Sequence, residues 1–423
     1  GDFEYELTTD ATDTQAGSYV SAEVHRNRNA EITFRGNAAA GSELYAGYSA
    51  YGNNAEKNHL TVTNVPSSTA PAPGLSAAYG AKIVGEGGSA HGNVLEITGT
   101  REKNLPYAEN RIADAYGAAI TNAHNTGVVG GTADGEGNHV TVSDGIVDNV
   151  YGGATQGTGA VVHNTATITG GTVTTNVYGG HSTGGGTVAS NEVHISRGTV
   201  GTATQPATVY GGAATGSGDV TNNAVNLGNE DNHNLRDANL AAAELIGSVK
   251  ATGTASGNAL NVYAKNANVY TVSAFDTHHF ILDRAITDGA TMLSIAEGGF
   301  GQEIDWNSVV VENEPTMMKD GNPGGRVILA KGGAAPNKLK IAGYAKRDMS
   351  VGNIEHVVEL ENPTETSTGH FEAERLLLTY AKFKDNTWTY DGADSSPTSE
   401  SNEVFGGISY MGHTTENNVL TVT

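Results

Sequence analysis

Residues 151–180 read YGGATQGTGAVVHNTATITGGTVTTNVYGG, and the fold is decided in this stretch. It opens at Tyr151 and closes at Tyr178 on the same Tyr-Gly-Gly box, and holds Asn164-Thr165-Ala166-Thr167-Ile168 and Gly170-Gly171-Thr172-Val173 between them. Apolar and polar residues alternate within each short run, the two-residue period of a strand, and glycine-rich corners separate the runs. Three short strands per unit bury too little apolar surface to stand alone. Stacking like units solves this, because each strand then pairs with its equivalent about 4.8 Å above and below.

The same boxes recur on either side. Asn-x-apolar-x-apolar begins at Asn58, Asn93, Asn138, Asn164, Asn191, Asn223, Asn258 and Asn418. The aromatic box recurs at Tyr45, Tyr79, Tyr116, Tyr151, Tyr178, Tyr210 and Phe405, and Arg197-Gly198-Thr199-Val200 repeats the third signal. The expected architecture is all-β: a right-handed parallel β-helix (β-solenoid) with an additional β-rich module, its handedness following the general rule for parallel crossovers. Parity places Asn223, Val225 and Leu227 on one inward face. Asn93, Asn138, Asn164, Asn191, Asn223 and Asn258 then form a structural ladder, their amides hydrogen-bonded along the axis. Val177 faces inward and Tyr178 outward or on the corner, and the glycines after each tyrosine are expected to supply the positive φ of a sharp turn. Unequal spacing between units predicts loops of different length at one corner. The segments after the aromatic box (154–161, 181–188 and 213–220) are the ones expected to vary and to carry ligand contacts.

Three regions follow. Residues 1–262 read as solenoid repeats. Residues 263–400 lose the Tyr-Gly-Gly box, carry longer strands and both tryptophans, and read as a β-rich non-repeat module. Residues 401–423 read as the start of a further solenoid repeat, since residues 43–63 align on 403–423 without gaps, with ten of 21 positions identical. The chain is therefore expected to be a segment of a longer protein.

Composition narrows the function. There are 57 glycines, 10 prolines, no cysteine and a formal charge of −23. So acidic a chain repels phosphate backbones and anionic lipid, which argues against nucleic-acid partners. Lack of cysteine excludes disulfides and thiolate chemistry and suits a chain exported unfolded. No apolar run is long enough to span a membrane as a helix, so direct membrane insertion of this segment is not expected.

The Val-Tyr-Gly-Gly and Asn-x-Val-x-Ile boxes over roughly residues 40–300 resemble the passenger regions of large autotransporter-type surface adhesins of Gram-negative bacteria. That resemblance implies an extracellular, cell-surface location and a part in adhesion, aggregation or biofilm formation. The implied partners are a host-cell or bacterial surface glycan or protein, or further copies of the chain in a fibre.

Signatures of catalysis are scarce. No nucleophile elbow, Walker-type loop or His-Glu-x-x-His occurs, so the chain is not expected to be an enzyme. The rival readings are a carbohydrate-active enzyme on a β-helix and a purely structural filament component. A lyase wants a basic residue that residues 113–234 offer only at Arg197, and a glycosidase would need a carboxylate pair such as Asp144 and Asp148. No organic cofactor is expected. Glu230 and Asp231, amid Asn229, Asn232 and Asn234, are the weak candidate for a Ca2+ site. Adjacent His278 and His279 point to opposite faces of a strand and cannot share an ion. Tyr116, Tyr151, Tyr178 and Tyr210, stacked outward, form a candidate binding strip that would meet a sugar or protein through ring faces and hydroxyls. Packing is the alternative role for the same ladder.

Overall fold

The computed structural model describes residues 3–8, 27–35, 41–63, 75–99, 111–133, 135–229, 231–282, 286, 289–296, 304–305 and 308–312, with further strands at 318–319, 322–323, 325–331, 341–342, 347–351, 354–361, 372–377, 387–390 and 419–422. Among them the protein is all-β, and nearly all pairing up to residue 331 is parallel.

The strands fall into three ladders, and the chain visits them in turn. The tyrosine ladder contains Ser42–Ser49, Leu75–Ile83, Arg111–Ile120, Ile146–Thr155 and Ala207–Ala214, with the second part of Thr165–Ser182 between the last two. The short ladder contains two-residue strands such as Val129–Gly130, Val161–Val162, Val188–Ala189 and Val220–Thr221. The asparagine-led ladder includes His59–Thr63, Val94–Ile97, His139–Val142 and Ala224–Leu227. One passage through the three is called a rung below.

The expected register is found. Val140, Ala166, Val193 and Val225 pair in sequence, and all four are fully buried. Thr172-Val173 likewise pairs with Thr199-Val200. Inward rows of Val, Ile, Leu and Ala form one long narrow core, each larger side chain contributing about 1.5–3 kcal/mol by leaving water. A second apolar column, including Ile83, Ile120, Val161, Val188 and Val220, lies beneath the short ladder.

Parallel pairing crosses the position where the repeat texture changes. Ala259–Val262 pairs with Thr277–Ile281, which pairs with Val309–Glu312. Antiparallel pairing appears further on: Arg347–Val351 with Ile354–Glu361, that strand with Glu372–Leu377, and the last with Gly325–Lys331. The second aromatic-asparagine unit, 403–418, lies outside the described residues.

Candidate functional site

Each rung is held from inside by its asparagine. Asn58 Nδ2 donates to Asn93 Oδ1, and the chain continues through Asn138, Asn164, Asn191, Asn223 and Asn258 at 2.8–3.0 Å. Each backbone N–H of the series also donates to the next Oδ1, as from Asn164 to Asn191 at 3.0 Å. The second Nδ2 hydrogen reaches a short-ladder carbonyl, Val129 for Asn164 and Val161 for Asn191. A fully buried amide thus makes all four of its hydrogen bonds. Aspartate lacks the donors and serine the reach.

The glycines after each tyrosine work differently from the sequence expectation. Gly152, Gly153, Gly179, Gly180, Gly211 and Gly212 are not among the residues with left-handed φ. Space is what requires them. A Cβ on Gly153, Gly180 or Gly212 would stand 2.5–2.6 Å from the side chain of Asn164, Asn191 or Asn223 in the same rung. A Cβ on Gly152 would stand 2.4 Å from the Gly179 carbonyl oxygen. The aromatic and asparagine boxes are therefore one packing unit. Positive φ belongs instead to the residue before the asparagine: Lys57, His163, Ser190 and Asn222 at 54–57°, and Gly92 and Gly257 at 63° and 71°.

On the outer face, Tyr116, Tyr151, Tyr178 and Tyr210 stack in register with centroid separations of 4.5, 4.9 and 4.7 Å and interplanar angles of 9°, 2° and 8°. Tyr79 extends the stack at 4.8 Å and 4°, and Tyr45 follows at 5.5 Å and 24°. Lys82 Nζ sits 4.9 Å from the Tyr79 centroid and bonds Glu43 at 2.6 Å. His181 lies 4.7 Å from the Tyr178 ring, and Ile246 follows Tyr210 in the ladder. Mutual stacking covers the ring faces along the run. Within the run the ring faces meet one another and are not free to lie against a sugar as expected. Burial raises the hydroxyls of Tyr45, Tyr79, Tyr116, Tyr151 and Tyr178, the last to about 12 with the Tyr210 charge adding to it.

A polar row runs two residues before the tyrosines. Asn149 Nδ2 donates to Asp114 Oδ1 at 2.9 Å, and Asn176 Nδ2 to Asn149 Oδ1 at 3.0 Å. Burial, against the Asn149 hydrogen bond and with the Asp148 charge, raises the Asp114 carboxyl. Asp148 is held by Thr174 Oγ1 at 2.7 Å and Arg111 at 3.3 Å. Asp144 is exposed and binds the Gly145 N–H at 2.7 Å. Sequence reasoning passed over Glu43, Asp114, Asn149 and Asn176. The signal was there, a carboxylate or amide two positions before each of Tyr45, Tyr116, Tyr151 and Tyr178.

The two kinds of corner differ. Tyr45 to Asn58, Tyr151 to Asn164, Tyr178 to Asn191 and Tyr210 to Asn223 are spans of identical length. The corners after Tyr151, Tyr178 and Tyr210 are stacked in register, and their side chains vary while their length does not. A Cβ on Gly184 would lie 2.1 Å from the Gly157 carbonyl oxygen, and one on Gly216 would lie 1.4 Å from that of Gly184. Length varies on the other side, where the passage from Asn138 to Tyr151 is short and that from Asn191 to Tyr210 is clearly longer. Insertions there fold on themselves. Thr202 and Gln205 close a tight turn, and the 228–237 insertion places Leu235 in the core while Asn232 Nδ2 binds the Ser196 carbonyl.

The longest Tyr-to-Asn span runs from Tyr116 to Asn138 and departs most from the common length. A hollow of about 550 Å³ lies there, lined by residues including Lys57, His91, Thr132 and Glu136. Glu230 lies outside the described residues, and Asp231 is exposed. The Asn229 and Asn234 side-chain oxygens beside it already accept backbone N–H groups. No cluster of three His, Asp or Glu suited to a metal occurs among the described residues. Nor does any helix among them have the length and apolarity to cross a membrane. His278 is buried while His279 is half-buried on the opposite face.

No family of known proteins, no curated protein and no solved structure matches this chain.

Proposed function

We propose that this chain is a segment of an extracellular bacterial surface adhesin or fibre. In this reading its three ladders wind as a right-handed parallel β-helix, and residues 263–400 form a β-rich module carried on it. The observation that carries the reading is the division of labour between corners. The corners after Tyr151, Tyr178 and Tyr210 form a stacked, glycine-rich wall of constant length, while the Asn-to-Tyr corners carry insertions that differ in length from rung to rung. A repeat scaffold that displays binding segments has this form. The partner is a host-cell or bacterial-surface glycan or protein, met through the Asn-to-Tyr insertions, the tyrosine edges or the module.

The test is binding of the chain to cells and to a glycan array. Shortening the 201–206 turn and the 228–237 insertion should weaken binding while the far-ultraviolet spectrum of parallel β-structure is retained. Binding unaffected by both changes and by replacing Tyr151, Tyr178 and Tyr210 together would contradict the display assignment.

One observation favours a second reading, a carbohydrate-active enzyme. The raised carboxyl of Asp114 lies within the electrostatic reach of Asp148, and paired carboxylates serve acid–base hydrolysis. Release of reducing ends from a polysaccharide, abolished in Asp114→Asn, would replace the adhesin reading with this one.

A further inference from the structure

The asparagine chain ends on a different chemistry. Ala259 pairs with Thr277, which sets Asp276 where the next asparagine would stand. Its carboxylate accepts the Asn258 backbone N–H at 2.8 Å and Nδ2 at 3.3 Å. The backbone N–H and one Nδ2 hydrogen of each asparagine point this way, so an acceptor-only carboxylate is a fitting terminus. Two residues on, the inward row changes too. From Ile32 through Leu60, Leu95, Val140, Ala166, Val193, Val225 and Leu260 it is wholly apolar, and then it holds His278.

His278 is 5% exposed. Leu260 and Val309 lie before and after it in the ladder, and its Nδ1 is 3.2 Å from Ser308 Oγ. Phe275 meets the imidazole edge-on at 6.1 Å. Among the described residues, the charged groups acting on it are Asp276 and His279, both from its own segment. Of the two paired strands, Ala259–Val262 carries no charged residue, and Val309–Glu312 carries Glu312, opposite Ile281 in the ladder. This rung also lies beyond the last stacked tyrosine, since Tyr210 is followed by Ile246 and Ser273.

We propose that the rung of Asn258 to Leu282 is an acid-sensitive joint, at which protonation of His278 opens the chain beyond Asn258 while the amide-laddered rungs before it stay closed. Burial lowers His278 to about 4 from an ordinary 6.5. A group depressed in this way contributes stability that is present above pH 6.5 and is lost as pH falls from 6.5 towards 4. The other strongly lowered histidine, His181, is half-buried on the outer tyrosine face against the Tyr178 ring, outside the inward row.

The experiment is hydrogen exchange of the full chain at about pH 7 and about pH 4.5, corrected for intrinsic rates. Linkage predicts a roughly 50-fold fall in protection over 259–282, with protection over the histidine-free residues 207–227 held within a few-fold. His278→Leu should remove the difference, and Asp276→Asn should keep it. Equal loss in both segments, or loss abolished by Asp276→Asn and kept by His278→Leu, would overturn the joint. If His278→Leu does not fold, imidazole proton shifts in the unaltered chain decide: a His278 midpoint near 4 supports the proposal and one near 6.5 sinks it.

Discussion

The passage from Tyr178 to Asn191 has the same length as its counterparts in the rungs before and after, while the passage from Asn191 on to Tyr210 is longer than theirs from Asn138 or Asn164. These are two halves of one rung, built from the same small and β-branched residues, yet across the rungs of Tyr151, Tyr178 and Tyr210 one half changes in length and the other does not. Contact explains the difference. In the first half, backbone lies on backbone at distances that exclude a Cβ, and the half ends on an amide bonded to the rungs on either side. In the second half, the chain leaves the ladder, closes a turn on itself, and rejoins at Ala207. Within these three rungs, constancy and variability are therefore properties of corners.

The largest contrast is expected from one substitution made in each half. Gly216→Val forces a side chain into the Gly184 carbonyl and should cost about 3 kcal/mol or more. Thr204→Val, on the exposed turn, should stay within about 0.5 kcal/mol. Chemical denaturation of both variants checks this, and similar losses would erase the distinction between corners.

A double-mutant cycle sharpens it next. Gly180→Ala should cost about 2 kcal/mol by pressing on the Asn191 amide. Asn191→Ala should cost about 3 kcal/mol by leaving buried partners unmatched. Together they should cost clearly less than their sum, because the first change needs the second residue for its clash. Additive losses would mean that the two boxes are not one packing unit.

The smallest effect has the opposite sign. Ser190 holds φ at 54°, which a residue with a Cβ adopts at a cost, while Gly92 and Gly257 occupy the same place in other rungs. Ser190→Gly should stabilise by about 0.5 kcal/mol, the relieved strain exceeding the added chain entropy. A destabilised variant would show that the serine is held there by interactions worth more than the strain.

Much of this was legible before the structure. Strand parity depends only on alternation, so Val193 and Val225 were placed inward by their neighbours, and the asparagine ladder followed from eight recurrences of one box. The glycines were misread because sequence shows that a Cβ is missing but not whether torsion or space forbids it. At Gly180 the reason is Asn191, which lies past the whole corner in sequence and becomes a neighbour only when that corner is closed. The tyrosines were placed outward correctly, yet ring orientation depends on χ angles that no spacing encodes. Asp276 and His278 were missed as members of the repeat because the box was sought as asparagine followed by aliphatics. Its geometry survives the change of both residues.

The central claim, that scaffold and display occupy different corners of each rung, is tested most directly by placing one insertion in each. A Gly-Ser-Gly-Ser segment added after Gly185 and the same segment added after Thr204 are compared by denaturant unfolding. The account predicts that the first unstacks the wall against Gly157 and Gly216 and lowers the midpoint sharply, with a loss of about 3 kcal/mol or more. The second should lengthen an already exposed turn at about 0.5–1 kcal/mol. Equal losses at the two sites, or the greater loss after Thr204, would contradict it.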